Sequence, residues 1–385
     1  MSKKILFITY GDITSHSGGS LANRAFYESL AQHHPDHVDV IQYNVEKGNQ
    51  DDPHFFYMPP ALSFYRLKLM LRGRIHRLHD WLFHFLDARK GKYHLCIINS
   101  GLFGDLVPKI KERGISVVTI HHNFEVAYQI DNKRALTIWG LTPYFVRRNE
   151  RKAYLYSDLN VFLSDHDRQL MSAYYGKSCA QDVVVGVYDT RERTKELQSV
   201  CTTNEKGKNV AMTGWLNHLQ TELGIADFRS HYYELFKQIM PSSSQLIVTG
   251  RTPGKVVLEF AKMGSRIVLI PNPDIICEVI KDCSIYLCPV NVGSGVKLRI
   301  LDGIRLGMPV LVHEVSARGY EVFFDKPWFK SYDDVQSFES GLKSILYYME
   351  HTANYRAEII NDYQSHFSFE VGDKRFMEAL SKLMN

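Results

Sequence analysis

The sequence predicts an α/β protein of two doubly wound domains, each a parallel sheet with helices between its strands. Short β-branched or apolar runs alternate with segments long enough for helices, as such a sheet requires. The first series of runs lies at 5–10, 38–41, 95–98, 117–120, 159–163 and 183–187. The second series lies at 210–212, 246–249, 267–270, 285–288 and 309–312. A length of 385 residues also fits two cores better than one.

Residues 189–208 are the expected connection between the domains, because this stretch is polar and holds few apolar residues. The predicted boundaries are therefore an N-terminal domain at 1–188 and a C-terminal domain at 209–365. Helical spacing of apolar residues returns at 373–384. A C-terminal helix at 366–385 could cross back to the N-terminal domain.

The composition is that of a soluble globular protein, with 45% hydrophobic and 23% charged residues. A net charge of +4 is too small to indicate a nucleic-acid partner. The chain enters its first strand-like run at 5–10 without the pattern of a signal peptide, and it lacks the run of about 18 apolar residues that a membrane span needs. The six cysteines are scattered, without C-x-x-C pairs. A cytoplasmic protein with reduced thiols is predicted.

Paired glycines, Gly18 and Gly19, follow the first run and precede a helix-like segment. Glycines at a strand-to-helix turn let the backbone approach a ligand and direct helix N–H groups at an anion or a hydroxyl. The G-x-G-x-x-G fingerprint of dinucleotide-binding proteins is absent. Gly18 and Gly19 are therefore candidate ligand contacts, with a plain tight turn as the alternative.

A polar cluster, His121-His122-Asn123-Phe124-Glu125, follows the run at 117–120. Ligands of open α/β sheets bind at the carboxyl ends of strands, so this cluster lies where a substrate is expected. A neutral imidazole or a carboxylate there can hydrogen-bond a sugar hydroxyl. Ordinary loop residues are the alternative. A metal site is not predicted, because no third ligand has suitable spacing.

The most informative pattern lies at 293–312, GSGVKLRILDGIRLGMPVLV. A tight loop, Gly293-Ser294-Gly295, follows the run at 285–288, and a helix is predicted at 296–306 with Lys297 and Arg299 in its first turn. Helix N–H groups, the helix dipole and two cations together favour a diphosphate. The alternative is an ordinary loop with solvated basic residues.

This segment resembles the nucleotide-sugar signature of GT-B glycosyltransferases, in particular the large retaining group 1 family, glycosyltransferase family four. Its pattern is G-S-G-V-K-x-x-I-L-[DE]-x-x-x-x-G-x-P-V. Further pieces follow the order of that family, namely Gly18-Gly19, His121/His122-Asn123-x-Glu125, the segment 157–168, Gly214 and Gly250. The resemblance implies two Rossmann-like domains facing each other across a cleft. It also implies sugar transfer from a nucleotide-diphosphate sugar to a hydroxyl acceptor, with retention at the anomeric carbon and with no obligatory metal or other cofactor.

The resemblance also implies roles for individual residues, with the donor on the C-terminal domain and the acceptor on the N-terminal domain. The implied catalytic residues are His121, His122 and Lys297. The implied donor-binding residues are Gly214, Arg251, Gly293, Ser294, Gly295, Val296, Lys297, Arg299 and Asp302. The implied acceptor-binding residues are Gly18, Gly19, Asn123 and Glu125. Asp302 would accept hydrogen bonds from the ribose hydroxyls of the nucleotide.

Two positions depart from the pattern of that family. Ser294 stands where the first glutamate of the usual pair would be, so a contact of that carboxylate with the sugar is not expected. Trp215-Leu216-Asn217-His218 replaces the frequent arginine, and no clear lysine follows. Lys297, with Arg299 or Arg251, would then neutralise the diphosphate.

Residues 62–93 form a basic amphipathic stretch, with eight lysines and arginines against two acidic residues. Apolar residues recur in it at helical spacing, including Leu78, Leu82 and Phe85. Such a helix can lie on an anionic membrane surface, which predicts peripheral association with the inner face of the cell membrane. The alternative is a helix that packs its apolar side on the core.

Two other function classes stay open at this stage, a nucleotide-sugar epimerase and a non-catalytic sugar-nucleotide module. A dehydrogenase is disfavoured because the glycine fingerprint is absent. The expected partners are a nucleotide-sugar donor and a glycan, a lipid-linked or another hydroxyl acceptor, as in bacterial surface polysaccharide or glycoconjugate synthesis. The donor sugar, its base and the oligomeric state do not follow from the sequence.

Overall fold

The computed structural model describes residues 4–14, 18–43, 45, 52–58, 78–131, 142–178, 180–196 and 209–384. The chain divides into two compact units. The first unit comprises Met1–Thr190 and Gly372–Asn385, and the second comprises Arg191–Val371. The domain limits expected from the sequence, 1–188 and 209–365 with a linker and a terminal helix, stay a prediction.

Seven parallel strands form the sheet of the first unit, in the order β3-β2-β1-β4-β5-β6-β7. The strands are β1 (Lys4–Tyr10), β2 (Val38–Tyr43), β3 (Phe55–Met58), β4 (Tyr93–Asn99), β5 (Ser116–His121), β6 (Leu159–Phe162) and β7 (Gln181–Val184). Five successive residues of β1 are buried. Because helices cover both faces of a parallel sheet, such a strand is a continuous apolar run and not an alternating one.

Among the described residues, six α-helices lie between these strands. They are α1 (Gly18–His33), α2 (Leu78–Asp87), α3 (Val107–Lys111), α4 (Glu125–Asp131), α5 (Thr142–Tyr156) and α6 (Asp165–Tyr175). Leu78 and Leu82 of α2 pack in one core with Leu6, Ile98 and Ile110. The apolar side of α2 therefore contacts the protein interior.

The basic stretch at 62–93 is described only in part, since residues 59–77 lie outside the described residues. In the described part, Leu78, Leu82 and Phe85 are buried, and Trp81 is 37% exposed. This half of the stretch has the arrangement of a core-facing helix. Association with a membrane surface stays a prediction.

Six parallel strands form the sheet of the second unit, in the order β10-β9-β8-β11-β12-β13. The strands are β8 (Val210–Trp215), β9 (Leu246–Arg251), β10 (Ile267–Pro271), β11 (Ile285–Cys288), β12 (Val310–His313) and β13 (Phe329–Tyr332). An aromatic and aliphatic core that includes Phe228, Tyr232 and Phe338 covers one face of this sheet.

Ten further α-helices occur in the described part of the chain after Thr190. They are α7 (Arg191–Glu196), α8 (Leu219–Asp227), α9 (Tyr233–Ile239), α10 (Lys255–Ala261), α11 (Ile276–Ile280), α12 (Ile300–Arg305), α13 (Glu314–Ala317), α14 (Val335–His351), α15 (Tyr355–His366) and α16 (Phe369–Met384). The later part of α16 packs on α1, where the rings of Phe376 and Phe26 are 4.8 Å apart and Asp373 pairs with His33 at 2.9 Å. Helix α7 lies within the expected linker, whose residues 197–208 are outside the described part of the chain.

Both sheets reverse their strand order at one place, between β1 and β4 in the first unit and between β8 and β11 in the second. In open α/β sheets, ligands bind at the carboxyl ends of the strands beside such a reversal. The residues that follow β1, β4 and β5 in one unit, and β8 and β11 in the other, are therefore the candidates for binding.

Among the described residues, no helix has both the length and the apolar character needed to cross a membrane.

Candidate functional sites in the two units

His121 is the last residue of β5 and is 1% exposed. Its Nε2 lies 3.1 Å from Asn160 Oδ1, and its ring stacks on Phe162 with the centroids 4.9 Å apart. Since an amide oxygen only accepts hydrogen bonds, Nε2 carries the hydrogen and Nδ1 offers a lone pair. Nδ1 is buried without a partner in the described part of the chain. Burial lowers the pKa of His121 to about 4, so the ring is neutral at neutral pH.

His122 belongs to a hydrogen-bonded chain of side chains at the ends of β1 and β4. Its Nε2 lies 2.6 Å from Asn99 Oδ1, while Asn99 Nδ2 donates to Asn23 Oδ1 at 2.8 Å. Asn23 in turn donates to the carbonyl of Tyr10 at 3.3 Å. Desolvation among protein atoms lowers the pKa of His122 to about 4. The first unit thus holds two neutral imidazoles whose Nε2 atoms are fixed by asparagine.

The predicted acceptor residues border these two histidines. Asn123 is half-buried, and its Nδ2 has no hydrogen-bond partner within the described ranges. Glu125 is the first residue of α4, and Gly18 is the first of α1. A Cβ atom built on Gly19 would meet no atom within 4 Å, so no contact in the structure requires glycine there.

In the second unit, the glycine-rich segment forms the loop after β11, and the helix begins at Ile300. The prediction of a helix from 296 was wrong, and Lys297 and Arg299 precede α12. Gly293 and Gly295 have φ values of 98° and 74°, which glycine adopts without strain. The two glycines bend the chain back on itself, so the helix cannot start before the loop ends.

Lys297 is 8% exposed, and its Nζ donates to the carbonyls of Ser294 at 2.9 Å and Gly295 at 3.4 Å. These carbonyl partners carry no net charge. The Tyr320 hydroxyl donates to the carbonyl of Lys297 at 3.0 Å, and the side chain of Val296 lies against Gly319. The loop is therefore held from both sides.

Arg299 reaches from this loop to the end of β8. Its Nη1 donates to the carbonyl of Thr213 at 3.2 Å and to Thr221 Oγ1 at 3.0 Å. A Cβ atom on Gly214 would lie 2.3 Å from the same Nη1. Gly214 thus leaves the space that the guanidinium fills, at the strand end where the family arginine would follow. Gly214 and Arg299, which are both predicted donor-binding residues, lie in contact with each other.

Asp302 is 5% exposed and accepts several hydrogen bonds. Thr213 Oγ1 donates to its Oδ2 at 3.0 Å, Arg193 donates to its Oδ1, and Arg305 Nη2 lies 3.5 Å from Oδ1. Arg305 also donates to the carbonyl of Arg193 at 3.3 Å. Both carboxylate oxygens are therefore bonded within the protein, and the ribose role of Asp302 stays a prediction.

Sequence reasoning did not single out Arg193, Thr213 or Arg305 as site residues. Arg193 lies in the polar stretch RERTK, which is typical of a linker, and Thr213 lies within the short strand β8. Their contacts join residues more than 80 positions apart, because Arg193 and Asp302 are 109 apart and Thr213 and Asp302 are 89 apart. No local sequence pattern predicts contacts between residues so far apart in the chain.

The predicted donor residue Arg251 ends β9 with an exposed side chain and stands in register with Trp215 of β8. Ser294 is half-buried, and its Oγ has no hydrogen-bond partner in the portion of the chain that the structure describes. No cluster of three or more metal-ligating side chains occurs among the described residues.

No protein-family model matches the chain, and no curated protein does. Solved structures do match. Sucrose-phosphate synthase from Thermosynechococcus elongatus aligns with a TM-score of 0.70 at 12% identity, over 99% of each chain. HepE of Anabaena, in complex with UDP, has a TM-score of 0.66 at 13% identity, over 98% of this chain and 100% of HepE. WaaG, a glycosyltransferase involved in lipopolysaccharide biosynthesis, has a TM-score of 0.64 at 12% identity, over 98% of this chain and 99% of WaaG.

These alignments cover nearly the full length of the chain, which matches the two-sheet topology described above. The TM-scores of 0.64 to 0.70 establish a common fold, and identities of 12–13% support no statement beyond the fold. The predicted fold class is confirmed, and the chain has the GT-B fold of two Rossmann-like α/β domains.

Proposed function

We propose that the chain is a cytoplasmic glycosyltransferase that moves a sugar from a nucleotide-diphosphate sugar to a hydroxyl acceptor, with retention at the anomeric carbon. The acceptor is a glycan, a lipid-linked compound or another hydroxyl compound, as used in bacterial surface polysaccharide or glycoconjugate synthesis. The fold shared with sucrose-phosphate synthase, UDP-bound HepE and WaaG supports this assignment. No cofactor or obligatory metal is part of the proposal.

One observation carries the proposal, namely that two guanidinium groups pair with a single buried carboxylate near the carboxyl end of β8, and a third bonds to the threonine that donates to this carboxylate. Arg193 and Arg305 pair with Asp302, while Arg299 bonds to Thr213, which also donates to Asp302. The three cations and one anion leave a net charge of +2. An excess of positive charge at this end of a parallel sheet favours a bound phosphate group.

Lys297 supplies a further cation in the same loop, two residues before Arg299. Its ammonium donates to the carbonyls of Ser294 and Gly295, which hold it in place. During transfer, negative charge develops on the departing diphosphate, and preorganised cations stabilise that charge. We assign this role to Lys297 and Arg299.

The first unit supplies the acceptor side in this proposal. His121 and His122 are neutral, and each has its Nε2 bonded to an asparagine oxygen. The Nδ1 atom of His122, whose residue is only partly buried, can therefore accept a hydrogen bond from a sugar hydroxyl. Nδ1 of His121 and Nδ2 of Asn123 are buried, so they bond to a hydroxyl only when the acceptor displaces the groups that cover them. A neutral imidazole can also take the proton that a hydroxyl loses as it forms the new bond.

A donor screen with the full chain tests the proposed function. The chain is incubated with UDP-, GDP- and dTDP-glucose, and nucleoside diphosphate release and thermal unfolding are measured. We expect release and a raised Tm with at least one donor, and with UDP-glucose in particular, since HepE is in complex with UDP. No release and no Tm change with any of them would contradict the proposal. Isomerisation of the sugar in the absence of an acceptor would instead identify an epimerase.

A second candidate function, a non-catalytic nucleotide-sugar module, is favoured by the environment of Asp302. The oxygens of this carboxylate already accept from Arg193 and Thr213, and Trp215, which is 50% exposed, follows Gly214 where the family has arginine. Such a module would raise Tm with UDP and release no diphosphate from UDP-glucose. The two readouts of the donor screen separate the two functions.

A further inference from the structure

Three successive backbone N–H groups after β5 point at buried carboxyl groups of other helices. The N–H of Phe124 donates to Asp167 Oδ1 at 3.0 Å, and the N–H of Glu125 donates to Glu150 Oε1 at 2.5 Å. The N–H of Val126 also bonds to Glu150. Two acidic residues from α5 and α6 thus hold the backbone that follows the two histidines.

The two carboxyl groups are themselves fixed. Asp167 is 2% exposed and accepts from Ser164 Oγ at 2.6 Å, and Ser164 caps α6. Glu150 is completely buried and accepts from the Tyr175 hydroxyl at 2.8 Å. A backbone anchored to groups with so little freedom keeps one conformation, because moving it would leave buried polar atoms unpaired.

One of these residues, Glu150, lies near the predicted catalytic histidine. A Cβ atom built on Gly101 would lie 3.4 Å from His121 Nδ1 and 3.5 Å from Glu150 Cγ. The space between α5 and the end of β5 is therefore filled by the backbone of Gly101, and His121 has no room to shift towards Glu150. The position of the imidazole depends on the placement of α5.

The titratable groups around Glu150 come from three elements. They are Glu125 on α4, Tyr175 on α6 and His121 on β5. Burial raises the pKa of Glu150 to about 8, and the neighbouring Glu125 carboxylate raises it further in the same direction. Glu150 is therefore mostly protonated at neutral pH, when it accepts the two N–H bonds without adding a second charge beside Glu125.

We propose that Glu150 and Asp167 are positioning residues, which hold residues 121–126 so that His121, His122 and Asn123 meet the acceptor in one geometry. This inference rests on the proposed function, since it assigns the segment to the reaction. The two residues act through the backbone and do not contact the substrate.

The test compares Glu150→Ala, Glu150→Gln and Asp167→Ala with the wild type, using UDP-glucose hydrolysis, UDP binding and amide hydrogen exchange. Glu150→Ala and Asp167→Ala remove the acceptors of the backbone N–H groups, so both should speed exchange at 124–126 and lower kcat about tenfold or more, since small misplacements of reacting groups are costly. KM for UDP-glucose and Kd for UDP should change less than about twofold, because the donor residues belong to the other unit.

The variant Glu150→Gln distinguishes a positioning role of Glu150 from a general loss of folded structure. Its amide oxygen can still accept from the N–H groups of Glu125 and Val126, and it is neutral like the protonated acid. At pH 7 its kcat should stay within about threefold of the wild type. As pH rises through about 8, the kcat of the wild type should fall because Glu150 ionises beside Glu125, and the variant should lack this fall.

Two exposed carboxylates of the first unit serve as matched controls. The first control is Asp165→Asn, because Asp165 lies on the same helix as Asp167. The second is Glu112→Gln, which removes a carboxylate that pairs with Lys109. Both should leave exchange at 124–126 and kcat unchanged. Wild-type kcat in Glu150→Ala, with or without faster exchange, would overturn the positioning role. A wild type that neither hydrolyses nor transfers from any donor would contradict the proposed function instead.

Discussion

Lys297 is a buried lysine whose ammonium donates to two carbonyls of its own loop, so its side chain is already ordered before any ligand binds. Preorganised charge of this kind acts on the transition state without a reorganisation cost. We expect Lys297→Ala to lower the kcat of UDP-glucose turnover by about 100-fold, the usual effect of removing one such donor. Steady-state kinetics measures the loss, and circular dichroism checks that the fold is intact.

Lys255 provides the control for this prediction, because its side chain is 88% exposed and it lies in the same unit. Lys255→Ala should turn over like the wild type. Wild-type activity of Lys297→Ala would show that Lys297 does not stabilise the departing diphosphate.

Arg193 and Asp302 form a buried ion pair, with side chains that are 12% and 7% exposed. Truncating one partner leaves the other charge desolvated, which is more costly than losing an exposed pair. Because Arg305 and Thr213 still contact Asp302, we expect Arg193→Ala to lower the free energy of unfolding by about 1–3 kcal/mol. Urea denaturation measures the change.

An exposed arginine of the same unit shows what an ordinary ion pair contributes. Arg229 pairs with Glu259 at 3.8 Å, with side chains 40% and 50% exposed. Arg229→Ala should change the free energy of unfolding by less than about 1 kcal/mol. Equal changes in the free energy of unfolding for Arg193→Ala and Arg229→Ala would show that the Arg193–Asp302 pair stabilises the protein no more than an exposed ion pair.

At the scale of elements, β8 and β9 approach each other so closely at their carboxyl ends that only glycine fits. Gly250 has φ of 146°, and a Cβ atom there would lie 1.8 Å from the carbonyl oxygen of Gly214. We expect Gly250→Ala to lower the free energy of unfolding by about 1–3 kcal/mol, as for overpacking of a core. UDP binding should weaken too, because Gly214 contacts Arg299.

Gly264 is the matched glycine for this experiment. A Cβ atom there would meet nothing within 4 Å, so Gly264→Ala should leave both stability and UDP binding unchanged. If Gly250→Ala were as stable as the wild type, the strand ends would be less tightly packed than the distances indicate.

Most elements follow from the sequence because a buried parallel strand leaves a continuous apolar run. All eleven runs predicted from the sequence overlap strands of the two sheets, as with β1 and β8. β3 and β13 were not predicted. Each has four residues at the outer edge of its sheet, and burial alternates or is partial, so the apolar signal is short and broken. The start of α12 was misplaced because glycine φ values fix it, and residue type alone does not.

Helix α2 limits how the basic stretch could meet a membrane. Leu78, Leu82 and Phe85 are buried in the first unit, so membrane binding must depend on the positive charges and not on these side chains. We expect flotation of the protein with vesicles that contain phosphatidylserine, reversed by about 0.5 M salt through screening. Flotation independent of anionic lipid would contradict this interpretation.

At the scale of the whole molecule, the sequence predicts which strand ends carry the candidate site residues better than it predicts the contacts of their side chains. Position follows from strand order, since the ends of β5, β8 and β11 lie where parallel sheets bind ligands. Engagement depends on tertiary contacts such as Arg193 with Asp302 and Glu150 with Glu125, which join separate elements. These contacts are set by packing and leave no local pattern.

Three buried titratable groups of the first unit couple the stability of the protein to pH. Burial lowers the pKa of His121 and of His122 to about 4, below the value of about 6.5 for an unfolded histidine. Stability from these histidines is present above pH 6.5 and is lost as pH falls towards 4, because the unfolded chain then binds more protons. Glu150 acts in the opposite direction, since its pKa is raised to about 8. The stability that Glu150 contributes is fully present below pH 4.5 and is lost as pH rises to about 8.

The two effects oppose each other, so these groups place the maximum of stability near pH 6–7, where the histidines are mostly neutral and Glu150 is still protonated. Between pH 6.5 and 8 the wild type should lose stability, by at least about 1 kcal/mol given 1.36 kcal/mol per pKa unit. Glu150→Gln cannot ionise, so its Tm should stay level over this range. Below pH 6 both proteins should lose stability, and the variant should lose it more steeply because it lacks the opposing contribution of Glu150. Thermal unfolding from pH 5 to 9 measures both curves. A parallel decline of the two proteins above pH 6.5 would show that Glu150 is not the group that titrates.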